Sequence, residues 1–452
     1  MDGLRELLDL TTGLSVEFLE SLGEREVFPR AAVDELRAAF DAPLPVEPTD
    51  ARTVVSELAA AADRGLVAEP GGRYFGFVIG GSVPAALAAD WLTSAWDQNA
   101  GIYVCSPAAS VVEEVAGRWL VELLGLPSHA SFGFVTGGQM ANFTALAAAR
   151  HHVLKRVGWD VERDGLTGAP RVRVVVGAKR HGTIDRALRM LGLGAPTDIV
   201  PADDQGRMQV DRLRLGDEPT IVCAQAGEVN TGAFDDFHAI ADARDAAANA
   251  WIHVDGAFGL WAAVPESRRH LVDGVDRADS WATDGHKWLN TPYDSSMAFT
   301  AHPDSHSGAF AARAAYLVFD AETRDQLDWN PEHSRRARGF TVYAAIRALG
   351  RNGIAEMVER CCAHARTFAS RLEELGAEIL NDVVINQVLL RFGSDEETQA
   401  VIRSVQDSGE AWLSGTTWDD HAAIRISVSN WQTSEEDVAR TLAAFAAALT
   451  RV

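Results

Sequence analysis

The sequence predicts an α/β protein: a mostly parallel central sheet, preceded by a helical N-terminal segment and followed by a small α+β domain. Three observations predict it. From Phe132 to about residue 301, short β-rich runs alternate with helical ones, as strands crossing over through helices require. Residues 1–72 space their apolar side chains at three and four, the helical period, with prolines between the runs. After Tyr343 the pattern changes to a long helix, two strands and a final helix.

Taken in order, LRELLDL, VDELRAAF and ARTVVSELAAAADRG read as helices with little core of their own, so residues 1–72 should pack on a larger body or a partner subunit. Tyr74-Phe75-Gly76-Phe77-Val78 reads as an aromatic, strand-like piece. VPAALAADWLTSAWDQ and SVVEEVAGRWLVELLG read as helices, the second stopped before Pro127. The strand Phe132–Val135 then leads through Gly137-Gly138 into the helix MANFTALAAARHHVLKR. RVRVVVGA, DIVPA, TIVCAQA, WIHVDGA, SWATD and SSMAFTA are the further strands of the large unit, residues 73–342. In residues 343–452 the helix from Ala344 to Leu375, the strands VINQVLLRF and AIRISVSN, and the terminal helix from Ser434 make the small domain.

Composition narrows the function classes. The chain has 452 residues, 47% apolar and 23% charged, with a formal net charge of −23. That acidity argues against nucleic-acid binding, which needs a basic footprint. Four cysteines (Cys105, Cys223, Cys361, Cys362) show no CxxC spacing, so reduced thiols and no metal site are expected. The N-terminus carries acids early and no window approaches a membrane span, so a cytoplasmic protein without membrane contact is expected.

The residues that carry chemistry all fall at carboxyl ends of strands, where open α/β sheets bind ligands. Lys287, in Asp284-Gly285-His286-Lys287-Trp288, can form an imine once partial burial frees its lone pair. Asp255 ends the apolar run Ala-Trp-Ile-His-Val, where a buried carboxylate requires a cationic partner such as a protonated pyridine nitrogen. Thr136-Gly137-Gly138-Gln139 joins a strand to a helix, so its N–H groups and the helix dipole would face a phosphate. His181 opens a helix after a strand and could lay its imidazole over a cofactor ring. Each signal alone has a plainer reading: a surface lysine, a helix-capping aspartate or histidine, a tight turn. Their common order and placement point to pyridoxal 5′-phosphate (PLP).

With those residues in place, the chain resembles the group II PLP-dependent amino-acid decarboxylases, the family of the aromatic-amino-acid, histidine and glutamate decarboxylases. The resemblance runs through RYFGFVIGGSVPAALAADWL, FVTGGQMANFTALAAAR, AQAGEVNTGAFDD, WIHVDGAFG, SWATDGHKWLNTPYDSS and SRRARGF, covering nearly the whole sequence. It implies PLP fold type I, aspartate-aminotransferase-like, and a homodimer with active sites at the subunit interface. It also implies that Lys287 is the Schiff-base lysine, that Asp255 partners the pyridine nitrogen, that His181 stacks on the ring and that Ala257 packs on the other face. Gly137, Gly138 and Gln139 correspond to the phosphate turn, Asp284 and His286 to positions near that phosphate, and Phe75 and Phe77 to a substrate-pocket region.

Three departures stand out. Gln139 replaces a small hydroxyl residue. Asp284 puts a carboxylate where a phosphate dianion is expected. LVFDAETRDQLDWNPEHS, after Tyr316, lacks the tyrosine that the family uses to reprotonate the substrate's α-carbon. Another donor is then needed, from His181, Lys287 or the partner chain; otherwise the carbanionic intermediate could react with dioxygen to give an aldehyde.

The expected activity is decarboxylation of an L-amino acid. A carbon–carbon lyase or aldolase, or a decarboxylating oxidative deaminase, would use the same lysine and aspartate, and a catalytically silent scaffold is the reading of another class. For the substrate, Phe75, Phe77 and Trp91 could furnish an aromatic pocket. Arg335, Arg336 and Arg338 could receive an anion, and Arg425, on AIRISVSN, is the first candidate for the substrate carboxylate, because a guanidinium fork matches that group.

Overall fold

The computed structural model describes residues 2–311 and 323–451. Three helices open the chain: α1 (Asp2–Ser21), α2 (Val33–Phe40) and α3 (Ala51–Asp63). The Asp50 side chain caps α3 by accepting from the backbone N–H groups of Arg52 and Thr53. No residue of α2 or α3 is buried. The segment is tied down elsewhere: Val27 N–H bonds the Gly409 carbonyl at 2.9 Å, and buried Arg73 donates to the carbonyls of Gly23 and Arg25 at 2.9 and 3.0 Å.

Two further helices follow, α4 (Pro84–Trp96) and α5 (Pro107–Leu123), each with proline in its first turn, where the missing N–H costs nothing. The large unit then alternates as the sequence predicts: β1 (Ser131–Val135), α6 (Gly138–Lys155), α7 (Val161–Asp164), β2 (Arg173–Gly177), α8 (Gly182–Met190), β3 (Asp198–Val200), β4 (Thr220–Gln225), α9 (Phe237–Asp245), β5 (Ala250–Asp255), β6 (Ser280–Asp284), β7 (Ser296–Thr300) and α10 (Pro303–Phe310). The seven strands pair in the order β1-β7-β6-β5-β4-β2-β3, with β7 antiparallel to both its neighbours and every other pair parallel. All residues of β1, β4, β6 and β7 are buried, which is why these strands read as apolar runs instead of alternating ones. Trp251 and Trp281, fully buried on β5 and β6, are among the largest side chains in this interior.

α11 (Gly339–Glu374) joins the two units. It kinks at Gly350, whose φ of 61° only glycine adopts cheaply. Val342, Ala345, Ile354 and Val358 enter the large core, while Cys361, Ala365, Phe368 and Leu372 enter the small one. The expected boundary at 342/343 falls within the helical segment that precedes this kink. Beyond it come β8 (Glu378–Ile379), β9 (Gln387–Arg391), α12 (Asp395–Asp407), β10 (Ser414–Trp418), β11 (His421–Ser427) and α13 (Glu435–Leu449), with an antiparallel sheet in the order β10-β11-β9-β8. Reciprocal caps start both helices, Ser394 with Glu397 and Ser434 with Asp437.

One expectation changes. Residues 74–78 form no strand; a single bridge joins Tyr74 to Trp412, and Phe77 and Val78 both take left-handed φ values of 55° and 58°. A β-branched residue in that region is strained, and such strain collects at functional sites. The tyrosine-free stretch after Tyr316 lies, up to residue 322, outside the described residues. Among the described residues no helix is long and apolar enough to cross a membrane.

Candidate active site

The ends of β1, β2, β5 and β6 bring the sequence-predicted residues to one edge of the sheet. Lys287 sits in the turn after β6, and its Nζ lies 2.9 Å from Asp284 Oδ2 and 5.9 Å from the centre of the Phe258 ring. The turn is built from behind. Trp288 and Leu289 are fully buried beneath it, and Gly80 passes so close that a Cβ there would stand 2.0 Å from the Lys287 carbonyl oxygen. Asn290, buried and with a φ of 51°, holds three segments together. Its Oδ1 accepts from the N–H groups of Gly81 (2.8 Å) and Trp431 (2.9 Å), and its Nδ2 donates to the carbonyls of Ser429 (3.0 Å) and Lys287 (3.2 Å). Asn290 was not singled out from the sequence. Its local signal is an asparagine closing a turn, a residue that tolerates the left-handed region.

Asp255, buried at the end of β5, accepts from Asn142 Nδ2 at 3.0 Å and from Ala257 N–H at 3.2 Å. The same Asn142 nitrogen lies 3.1 Å from Thr183 Oγ1, which in turn lies 2.8 Å from His181 Nδ1. On its other side Asn142 Oδ1 meets His253 Nε2 at 2.9 Å. Burial pushes the His253 imidazole down to about 4 against the opposing pull of Asp255, so this ring is neutral near pH 7. His181, the N-cap of α8, is exposed, with one edge held by Thr183. Asn142, Thr183 and His253 were not singled out from the sequence either; Asn142 is an amide buried within an otherwise alanine-rich helix face.

The third feature is the N-terminus of α6. Gly137 precedes it in extended conformation and no side chain caps it, which leaves backbone N–H groups and the positive dipole end free for an anion. A Cβ on Gly138 would stand 2.9 Å from Asp284 Oδ2, so only glycine fits. Asp284 is buried, bonded by Ser296 Oγ, and its own N–H reaches the Ala257 carbonyl at 2.9 Å. Ala257 thus bridges the ends of β5 and β6. His286 donates Nδ1–H to the Ser295 carbonyl at 2.8 Å and stacks on Tyr293 at 4.4 Å between ring centres; burial lowers its pKa. Gln139 turns to the Met190 sulfur, 4.0 Å away, along α8.

Several candidate substrate residues lie elsewhere. Phe75 is buried in the small-domain core, edge-on to Phe368 at 5.1 Å, and fills that core instead of facing a substrate. Trp91 lines an apolar groove with α1 and α3. The three neighbouring arginines are engaged internally: Arg335 on Glu113 at 2.8 Å, Arg336 on Asp90 at 2.7 Å, and Arg338 on Asp294 at 2.8 and 3.2 Å. Phe77, by contrast, is exposed and stacks on Trp412 at 5.3 Å. Arg425 is buried against the loop after β4, where Nη1 donates to the Val229 carbonyl at 3.2 Å, and it makes no ion pair among the described residues. Its Nε is without a hydrogen-bond partner.

An amine, a buried carboxylate, an imidazole at a strand end and an uncapped helix N-terminus match the aldehyde, the pyridine nitrogen, the ring and the phosphate of PLP. The one charge that does not match is Asp284, and Lys287 stands beside it as counter-ion. The fold and this set of groups define a PLP-dependent enzyme.

Residues 34–392 match the pyridoxal-dependent decarboxylase conserved domain, and the chain belongs to that family. Tryptophan decarboxylase 1 of Oryza sativa subsp. japonica is 27% identical over 97% of this chain and 92% of its own length. An aromatic-L-amino-acid decarboxylase of Bacillus atrophaeus is 26% identical over 96% and 93%. In fold, the crystal structure of Oryza sativa TDC with PLP and tryptamine superposes with a TM-score of 0.91 at 24% identity, covering 100% of this chain and 98% of that one. The protein is a PLP-dependent carboxy-lyase of this family.

Proposed function

We propose that the protein removes the α-carboxylate of an aromatic L-amino acid, taking up one proton at Cα and releasing carbon dioxide and the amine. The observation that carries this is Lys287 and Asp255 on adjacent strand ends in a chain of the decarboxylase family. Bound PLP supplies a sink for the electron pair left on Cα as the carbon–carboxylate bond breaks. Asp255, fixed by Asn142 and Ala257, keeps a proton on the pyridine nitrogen. Lys287 Nζ would hold the cofactor's aldehyde carbon, and Asp284, 2.9 Å away, would orient the freed amine as the proton donor to Cα. Gly138 and its neighbours would hold the phosphate, His181 would cover the ring and Arg425 would receive the substrate carboxylate. Exposed Phe77 and the Tyr74–Trp412 stack (5.1 Å) favour an aromatic substrate side chain.

The working form is a cytoplasmic homodimer. Leu14, Phe18, Val55, Leu58, Leu87 and Trp91 line an apolar groove of the kind a second copy covers. Buried, unpaired Cys223, Cys361 and Cys362 suit a reducing compartment. The test is single turnover with PLP and a panel of L-amino acids, scoring carbon dioxide, amine, aldehyde and oxygen uptake. Carbon dioxide with the amine of an aromatic substrate is expected. Release of carbon dioxide from no member refutes the assignment, and aldehyde with oxygen consumption refutes the amine as product.

A further inference from the structure

A chain of buried polar groups runs behind the site, and its direction can be assigned from both ends. At one end the Trp251 indole, which can only donate, gives its Nε1–H to Ser280 Oγ at 2.8 Å. At the other end the Asp255 carboxylate can only accept, so Asn142 must present its amide nitrogen there, at 3.0 Å. The Asn142 carbonyl oxygen therefore faces His253 Nε2, at 2.9 Å, and that nitrogen must carry the ring's proton. A neutral imidazole then has a bare Nδ1, which takes the Ser280 hydroxyl proton across 3.0 Å. The two ends agree on one orientation for every member.

The chain branches at Asn142. The amide's second hydrogen reaches Thr183 Oγ1 at 3.1 Å, so that oxygen is already an acceptor and its own proton is free for His181 Nδ1, 2.8 Å away. The Thr183 backbone N–H also points at Nδ1, at 3.3 Å. Two donors on one nitrogen leave it as the acceptor and put the ring proton on Nε2. None of these contacts requires PLP or substrate.

We propose that Asn142 and Thr183 are positioning residues that transmit one hydrogen-bond direction from Trp251 to the site, fixing Asp255 as an acceptor and His181 as the Nε2–H tautomer. The single amide of Asn142 thereby couples the carboxylate below the expected ring to the imidazole above it. The catalytic consequence rests on the reading of His181 as the ring-covering residue; the tautomer itself does not. His181 is thereby left with Nε2–H as its one free donor.

The test uses full-length protein labelled with 15N in its histidines, without and with PLP, at a pH above neutrality, with the His181 signals identified by their loss in His181→Gln. In the wild type, His181 should show a bare, hydrogen-bonded Nδ1 and a protonated Nε2 in both states. Thr183→Val, close in shape but lacking the hydroxyl, should mix the two tautomers, retain PLP and lower kcat about tenfold with KM unchanged, the scale on which outer partners act at other sites. Thr183→Ser should restore both the signals and the rate. A wild-type His181 protonated at Nδ1, or Thr183→Val signals identical to wild type, overturns the proposal without needing any activity. Altered tautomers with unchanged kcat would leave the chain of hydrogen bonds intact and overturn instead the reading of His181 as part of the site.

Discussion

Asn290→Ala should be among the most damaging single substitutions in this protein outside the groups that touch cofactor. Truncation orphans the N–H groups of Gly81 and Trp431, which Oδ1 accepts at 2.8 and 2.9 Å. Each unsatisfied group costs roughly 1–3 kcal/mol. Alanine at a φ of 51° adds about 1–2 kcal/mol that asparagine largely avoids. Together the loss is about 3–8 kcal/mol, a large part of the 5–15 kcal/mol that folded domains typically hold. Asn290→Gly separates the two causes, because it orphans the same N–H groups without the backbone strain and should recover about 1 kcal/mol. Urea unfolding followed by tryptophan fluorescence measures both variants. Because the same amide anchors the Lys287 carbonyl, the visible absorption of bound PLP should weaken in step with stability. An Asn290→Ala protein within 1 kcal/mol of wild type would show that these four bonds do not carry the turn.

Asp284→Asn removes the carboxylate beside the α6 N-terminus and should tighten PLP binding about tenfold in a fluorescence titration, since a neutral amide no longer repels the phosphate; weaker binding would mean the Asp284–Lys287 pair matters more than the repulsion. Arg425→Ala should raise KM for the amino acid more than tenfold while the cofactor's absorption persists, the loss of a charge-assisted fork; unchanged kinetics remove it from the site. For pH, burial holds His253 at about 4 and His306 at about 3, below their unfolded value near 6.5. A depressed folded pKa means that the unfolded chain binds more protons, so this stability is complete above about pH 6.5 and is lost as pH falls toward 4 and then 3. Each imidazole should contribute a slope of up to roughly 1.4 kcal/mol per pH unit, read from urea midpoints across that window.

What the sequence made legible follows from how local each signal is. Lys287, Asp255, His181 and Gly138 are each singled out by their own neighbourhood, because a strand's apolar run ends just before or at them, and strand ends converge in a parallel sheet. Phe75 failed for the same reason that it attracted notice: an aromatic in an apolar run is compatible with a pocket wall and with a core, and only the partner, Phe368 in α11, decides between them. The three arginines after Ser334 read as an anion site because their counter-ions, Glu113, Asp90 and Asp294, lie far away in sequence. Asn142 and Asn290 were invisible on the same ground, since their roles are defined by partners such as Asp255 and Ser429 that the fold alone brings near.

Two of the overlooked residues, Asn142 and Asn290, are asparagines, and the chemistry of the position explains why. Each must accept on one side and donate on the other within a buried region that already contains the charges of Asp255, Asp284 and Lys287. An aspartate would accept from Gly81 or His253 but could not donate to Asp255, and it would add an uncompensated charge costing several kcal/mol. A lysine would donate but not accept. The carboxamide does both with no net charge, so its desolvation is offset by its own bonds. Asn142→Asp and Asn290→Asp, isosteric though they are, should therefore fail at opposite ends of the site. The first would set two carboxylates against each other across 3.0 Å and release PLP. The second would lose the donors to Ser429 and Lys287 while keeping the acceptors for Gly81 and Trp431, loosening the lysine turn with the Asp255 side intact.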